Sequence, residues 1–291
     1  MKLFISVLAL TFGFAMPAKA NNMFYKTKFS TYALQTEERI KSTKLLYYGG
    51  PVIAKVKVYS VFWGAKIDSK IQSGIGAFYE TIVDSKQMDF LNQYNTTNLT
   101  AVDGRKGTNQ TISRGAYGGS FLINPSNTNT KLDDLDIRAE LEAQITAHVL
   151  PAPDENSLYM IYFPPGASIT VEGQTSCSSF CAYHNGYASS KFGSVYYGVM
   201  PDLKSGGCAF GCGFGQDAFN ITTIVSSHEF IEAVTDPFPT PGDKPAYPQA
   251  WNTSGGEEIG DLCGSTSGTV GKYSIQGEWD NATESCVAGP Y

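Results

Sequence analysis

The chain has 291 residues, a formal net charge of −6 and only 16% charged residues. No cluster of Lys and Arg could follow a phosphate backbone, which argues against nucleic acid as a partner. A chain of this length can bury a substantial core as one large domain, and nothing in its pattern requires a second one.

The N-terminus has the pattern of a secretory signal peptide. Lys2 precedes an apolar run from Leu3 to Met16, and Ala18-Lys19-Ala20 has the small-x-small form that signal peptidase cuts. The run is shorter than the roughly 20 apolar residues of a membrane-spanning helix. We therefore expect removal of residues 1–20, a polar leader at 21–46, and a secreted protein, extracellular or periplasmic, whose mature form has no membrane span.

The first elements after the leader are a strand and helices. β-Formers fill the stretch from Val52 to Trp63, which predicts a buried first strand. Apolar residues between Ile67 and Tyr94 recur mostly at steps of three or four, which predicts one or two helices interrupted by Gly74 and Gly76. Residues 95–131 are rich in Thr, Asn, Gly and Ser and are predicted to form edge strands and long loops.

A helix and a strand follow these loops. Asp133 or Asp134 can cap a helix that Pro151 stops, and Leu158 to Phe163 is a short apolar strand. Because helical and strand patterns alternate, we expect residues 47–291 to form a single α/β domain, a mixed sheet with flanking helices in layers.

All six cysteines lie in the C-terminal half, and an even number in an exported chain indicates disulfides that staple this half. They are Cys177, Cys181, Cys208, Cys212, Cys263 and Cys286. The two C-x3-C segments can satisfy each other, which leaves Cys263 to pair with Cys286. Cys177 is then expected to pair locally or with the Cys208/Cys212 pair. A structural zinc site built by these segments together with His184 is the alternative.

The strongest chemical pattern is His-Glu-x-x-Glu in the segment from Thr222 to Pro237, which is predicted to be one helix. On such a helix His228, Glu232 and Asp236 share a face. His-Glu-x-x-His helices hold zinc in this way, so we expect a zincin-like helix with Glu232 in place of the second histidine. Glu229 then takes the position of the general base.

Further ligands are predicted outside the helix. Glu258 is the first candidate and Asp261 the second, because they follow at the distance that suits a third, remote ligand. His184, fixed beside Cys181, and Asp236 are additional candidates. Zinc is the expected ion, and a carboxylate-rich ligand set leaves manganese or calcium as alternatives.

Several motifs resemble one known family. They are Tyr48-Gly49-Gly50-Pro51 before Val58–Gly64, the stretch Leu158–Glu172 followed by Cys177-x3-Cys181-Ala182-Tyr183-His184, Gly207-Cys208-x3-Cys212, and Trp279-Asp280-x5-Cys286. Through them, residues 47–287 resemble the EXORDIUM or phosphate-induced protein 1 family of secreted proteins. The His-Glu-x-x-Glu helix and Glu258-Ile259-Gly260-Asp261-Leu262-Cys263 resemble its bacterial-type members that keep the histidine. The resemblance implies an extracellular or cell-wall role and does not by itself imply catalysis.

Two functions are compatible with these patterns. The first is a secreted metal-dependent hydrolase, best matched by a peptidase, in which His228, Glu232 and Glu258 hold an ion, Glu229 is the base and the cleft is open. The second is a non-catalytic extracellular protein that binds a glycan or another protein through Tyr- and Asn-rich loops. In that case the acidic residues bind a structural ion or lie on a solvated helix face.

Overall fold

The computed structural model describes residues 44–212, 217–242 and 244–291. The predicted signal peptide and most of the predicted leader lie outside these ranges. Within the ranges, no helix combines the length and the apolar character that are needed to cross a bilayer.

Short strands separated by a few helices make up the described chain. The strands are β1 (Leu46–Tyr47), β2 (Lys57–Trp63), β3 (Ala116–Ile123), β4 (Lys131–Asp133), β5 (Ser157–Tyr162), β6 (Ser168–Val171), β7 (Gln174–Thr175), β8 (Tyr183–Ser189), β9 (Gly193–Met200), β10 (Trp251–Asn252), β11 (Ser267–Val270), β12 (Tyr273–Gln276), β13 (Glu278–Asp280) and β14 (Ser285–Val287). The helices are α1 (Ser69–Val83), α2 (Lys86–Phe90), α3 (Asp134–Thr146), α4 (Cys208–Gly211) and α5 (Ala218–Thr235), with 3₁₀ turns at Leu91–Tyr94 and Asp261–Cys263.

A five-stranded mixed sheet in the order β3-β2-β5-β9-β8 forms the centre of the fold. The first four strands run parallel, and β8 joins β9 antiparallel at one edge. The predicted mixed α/β class is therefore confirmed. The position of β3 at the other edge agrees with the edge strand predicted in the polar region 95–131.

Helices cover both faces of this sheet. On β2, Val58 and Phe62 belong to the core shared with α1 and α5, whereas Tyr59, Val61 and Trp63 belong to a second core that includes α3. Alternate side chains of a strand point to opposite faces, and both faces are apolar here because helices cover both of them. The result is a helix, sheet, helix sandwich.

Element boundaries differ from the sequence predictions in three places. The first strand begins at Lys57 instead of Val52, because the main chain at Ile53 leaves the sheet and donates to the Val234 carbonyl at 2.9 Å. Helix α1 runs uninterrupted through Gly74 and Gly76, where a Cβ atom would collide with Phe219 and with Tyr117. Helix α5 begins one turn earlier than predicted, because Asp217 caps it.

The disulfides follow the predicted grouping. Cys177 bonds Cys208, Cys181 bonds Cys212, and Cys263 bonds Cys286. No cysteine of the chain is free, so the alternative of a cysteine-bound structural zinc is wrong. Two bridges tie the segment before β8 to α4, and the third ties the 3₁₀ turn at Asp261–Cys263 to β14. Three disulfides fit a protein of an oxidising compartment.

Candidate metal centre

Helix α5 carries the predicted His-Glu-x-x-Glu pattern through the interior of the molecule. His228 and Glu229 are fully buried and Glu232 is 1% exposed. The alternative that the two glutamates lie on a solvated helix face is therefore wrong. Unpaired charged side chains are costly to bury. The partners of these three side chains therefore show whether the helix could hold a metal ion.

One group of ligand atoms joins α5 to the 3₁₀ turn that follows it in sequence. His228, Glu232 and Asp261 each offer one atom within 4.8 Å of the others. His228 Nε2 lies 3.1 Å from Glu232 Oε2, as expected for residues one turn apart on a helix. His228 and Glu232 are buried and Asp261 is partly exposed, so one side of this group faces the surface.

The main chain of the downstream segment holds Glu232 in place. The amides of Gly260 and Asp261 donate to Glu232 Oε1 at 3.2 and 3.1 Å. This close approach requires a glycine, since a Cβ atom on Gly260 would lie 2.5 Å from His228 Nδ1. Glu232 Oε1 is thus occupied, whereas Oε2 faces the histidines.

A second group shares Glu232 and lies towards β8. His184, Glu232 and Glu258 each offer one atom within 4.8 Å of the others, and all three are buried. His184 Nδ1 is 3.8 Å from Glu232 Oε2, and His184 Nε2 is 3.5 Å from Glu258 Oε1. The structure therefore divides the predicted ligands: Asp261 goes with His228, and Glu258 goes with His184.

Glu229 lies beside both groups. Its Oε2 atom is 3.3 Å from His184 Nδ1, whereas its buried Oε1 atom accepts no hydrogen bond. Burial raises the pKa of Glu229 above its usual value, although the neighbouring histidines oppose this shift. A carboxylate with a raised pKa and a free oxygen has the properties of a general base.

Asp236 does not join either group. As the C-cap residue of α5 it accepts hydrogen bonds from the Ala250 amide at 2.8 Å and from the Asn252 side chain. Its main-chain oxygen lies 3.0 Å from His184 Nε2. Asp236 thus fixes the loop after the helix and orients His184.

Two polar residues that sequence reasoning missed complete the centre. Gln276 Nε2, from β12, lies 2.8 Å from both His228 Nδ1 and the Gly260 carbonyl. Glu278, from β13, is fully buried and neither of its oxygens accepts a hydrogen bond. Both come from strands more than 40 residues after His228, and no spacing in the sequence links them to α5.

Electrostatics separates Glu232 from the carboxyls around it. Burial raises the pKa of Glu258 and Glu278 well above the usual range and that of Asp261 to about 7. Burial alone would also raise the pKa of Glu232, but the adjacent histidines and main-chain donors outweigh it and lower this pKa. The same carboxylates overcome desolvation of the imidazoles and raise the pKa of His184 and His228.

The donor set fits a divalent cation. Five acidic side chains meet only two histidines, and buried oxygens of Glu229, Glu258 and Glu278 accept no hydrogen bond. Carboxylate oxygens and imidazole nitrogens are ligands for zinc and manganese. Buried His, Glu and Asp groups of this chain can therefore hold a metal ion. In the described part of the chain most of these side chains are fully buried, which does not match the expected open cleft.

Comparison of the chain with protein-family models, with curated proteins and with solved structures found no match. The resemblance to the EXORDIUM or phosphate-induced protein 1 family therefore stays a prediction from the quoted motifs.

Proposed function

We propose that the protein is a secreted metal-dependent hydrolase that cleaves peptides. The observation that carries the proposal is the group of His228, Glu232 and Asp261, built on the predicted helix next to Glu229. A bound zinc ion would supply Lewis acidity, lowering the pKa of a water molecule and polarising a carbonyl group. In this proposal Asp261 replaces Glu258, the first choice from sequence, as the third ligand.

Glu229 is the residue assigned to proton transfer. Its free Oε1 atom can accept a proton from the attacking water and return it to the leaving amine. His184, 3.3 Å from the other oxygen, orients the carboxylate. Gln276 supports the centre because its side chain contacts His228 Nδ1. A contact at one ring nitrogen fixes the orientation of a histidine whose other ring nitrogen binds a metal ion.

The edge strand β8 favours a peptide as substrate. It carries His184, and in the described chain no strand pairs with its outer edge. An extended peptide can add to such an edge through main-chain hydrogen bonds. The disulfides and the signal-peptide pattern support an extracellular or periplasmic location, where extracellular peptides would be the substrates.

A binding function has one observation in its favour. A hollow beside β8 is lined by Tyr187, Phe238, Pro241 and Tyr247, and Arg105 lies 3.8 Å from the Tyr247 ring centre. Aromatic surfaces of this kind suit sugar rings, so a glycan ligand is the second candidate. Substitution of Glu229 distinguishes the two functions, because Glu229 does not line this hollow.

The test is Glu229→Gln assayed against a peptide library. Removing the base while keeping its shape should lower peptide hydrolysis about a hundredfold or more, with metal content and melting temperature unchanged. Glu80→Gln, on the exposed face of α1, is the matched control and should behave as the parent. Parent-level hydrolysis by Glu229→Gln would show that Glu229 is no base, and absence of hydrolysis by the parent would favour the binding function.

A further inference from the structure

A single ion held with His228 does not explain why Glu258 is buried without a hydrogen-bond donor. Glu258 is fully buried, neither carboxylate oxygen accepts a hydrogen bond, and it belongs to the group that does not contain His228. A buried carboxylate without donors is strongly destabilising unless a cation compensates it. Its nearest cationic partner is the His184 imidazole at 3.5 Å, which it shares with two other glutamates.

We propose that Glu232 bridges two divalent cations, one held with His228 and Asp261 and the other with His184 and Glu258. The inference rests on the proposed function, because the first of the two ions is the one that the proposed function requires. The second site is carried by separate residues, since His184 and Glu258 take no part in the first group.

The position of Glu232 Oε2 supports a bridging role. This oxygen lies 3.1 Å from His228 Nε2 and 3.8 Å from His184 Nδ1, so it stands between the two imidazoles. The other oxygen is held by two main-chain amides, which keeps the carboxylate from rotating away. In two-metal hydrolases the ions lie roughly 3.5–4 Å apart, a separation that a shared carboxylate can span.

The hydrogen bonding of His184 supplies the second argument. The Asp236 carbonyl oxygen, 3.0 Å from His184 Nε2, can only accept, so Nε2 carries the proton. Backbone carbonyls fix ligand histidines in this way in metal sites. Nδ1 then faces the carboxylates, 3.3 Å from Glu229 Oε2 and 3.8 Å from Glu232 Oε2, and an ion that replaces its proton would bind there.

The charge balance points in the same direction. The carboxylates of Glu229, Glu232, Glu258, Asp261 and Glu278 would carry five negative charges if all were ionised. One divalent cation leaves three of them uncompensated, whereas two cations leave one.

The test is to titrate the chelator-treated, desalted protein with Mn²⁺. We expect about two Mn²⁺ per chain by elemental analysis and an electron paramagnetic resonance spectrum of an exchange-coupled pair. One Mn²⁺ per chain with the spectrum of an isolated ion would overturn the second site and leave the proposed function intact. No bound Mn²⁺, with Zn²⁺ also failing to bind, would overturn both.

Glu258→Gln identifies the second site. This variant should bind about one Mn²⁺ and lose the coupled spectrum, while Glu257→Gln, an exposed neighbour, should keep both. Two coupled ions in Glu258→Gln would contradict the assignment. Because the parent stoichiometry decides the proposal alone, misfolding of the variant would not leave it untested.

Discussion

The two faces of the central sheet each contain a buried charged cluster, and the clusters differ in one respect. On the α3 face, Asp134 accepts hydrogen bonds from Tyr183 and Tyr197 at 2.7 and 2.6 Å and pairs with Arg138 at 2.7 Å. On the α5 face, carboxylates crowd around two histidines and several buried oxygens have no donor. Two consecutive residues of β8 belong to different clusters: Tyr183 contacts Asp134, and His184 contacts the carboxylates on the α5 face.

The difference is whether the chain itself supplies the cation and the donors that a buried carboxylate needs. The cluster of Asp134 contains its own cation and its own donors, so it stabilises the fold without any ligand. The cluster of Glu232 has a surplus of acceptors, which the chain itself does not satisfy. Burial alone does not distinguish the two; the count of donors and acceptors does.

The largest expected effect comes from breaking the satisfied cluster. Asp134→Ala leaves Arg138, Tyr183 and Tyr197 without their shared acceptor, and should lower the free energy of unfolding by about 3 kcal/mol or more. Urea denaturation measures the change. Asp84→Ala, which breaks an exposed ion pair with Arg114, is the control and should cost less than about 1 kcal/mol. Equal costs would show that the Asp134 cluster is not a structural unit.

The acidic cluster should respond to pH and to ions instead. Burial raises the pKa of Asp261 in this cluster, and of Asp236 next to it, to about 7. Between roughly pH 4 and 7 the folded metal-free protein therefore holds protons that the unfolded chain has released. Its free energy of unfolding should therefore fall as pH rises through this window, by on the order of 1 kcal/mol or more.

Zinc should reverse that loss at neutral pH. At a free concentration of about 100 times its dissociation constant, zinc should add about 2.7 kcal/mol to the free energy of unfolding, measured by thermal melts at pH 5 and pH 7.5. The gain should be smaller at pH 5, where protons compete for the ligands. Glu232→Gln should abolish it. A zinc effect equal in Glu232→Gln and the parent would place binding elsewhere.

The sequence pattern was enough to predict α5. It also predicted that His228 and Glu232 lie on the same face, because residues four apart on a helix are neighbours. The pattern could not predict that Glu258 and Asp261 belong to different groups, because they lie only three residues apart in an irregular segment. Gly260 approaches His228 closely, and the next residue, Asp261, belongs to the group of His228. Glu278 and Gln276 were beyond prediction, since only the packing of β12 and β13 brings them to the helix.

The most direct test of the cation site is anomalous diffraction from crystals grown with zinc. We expect a zinc peak within about 2.0–2.2 Å of a Glu232 carboxylate oxygen, with His228 as a further ligand, and no peak at Asp134. Diffraction that shows no anomalous peak near Glu232, with the surrounding carboxyls hydrogen-bonded to one another instead, would contradict it.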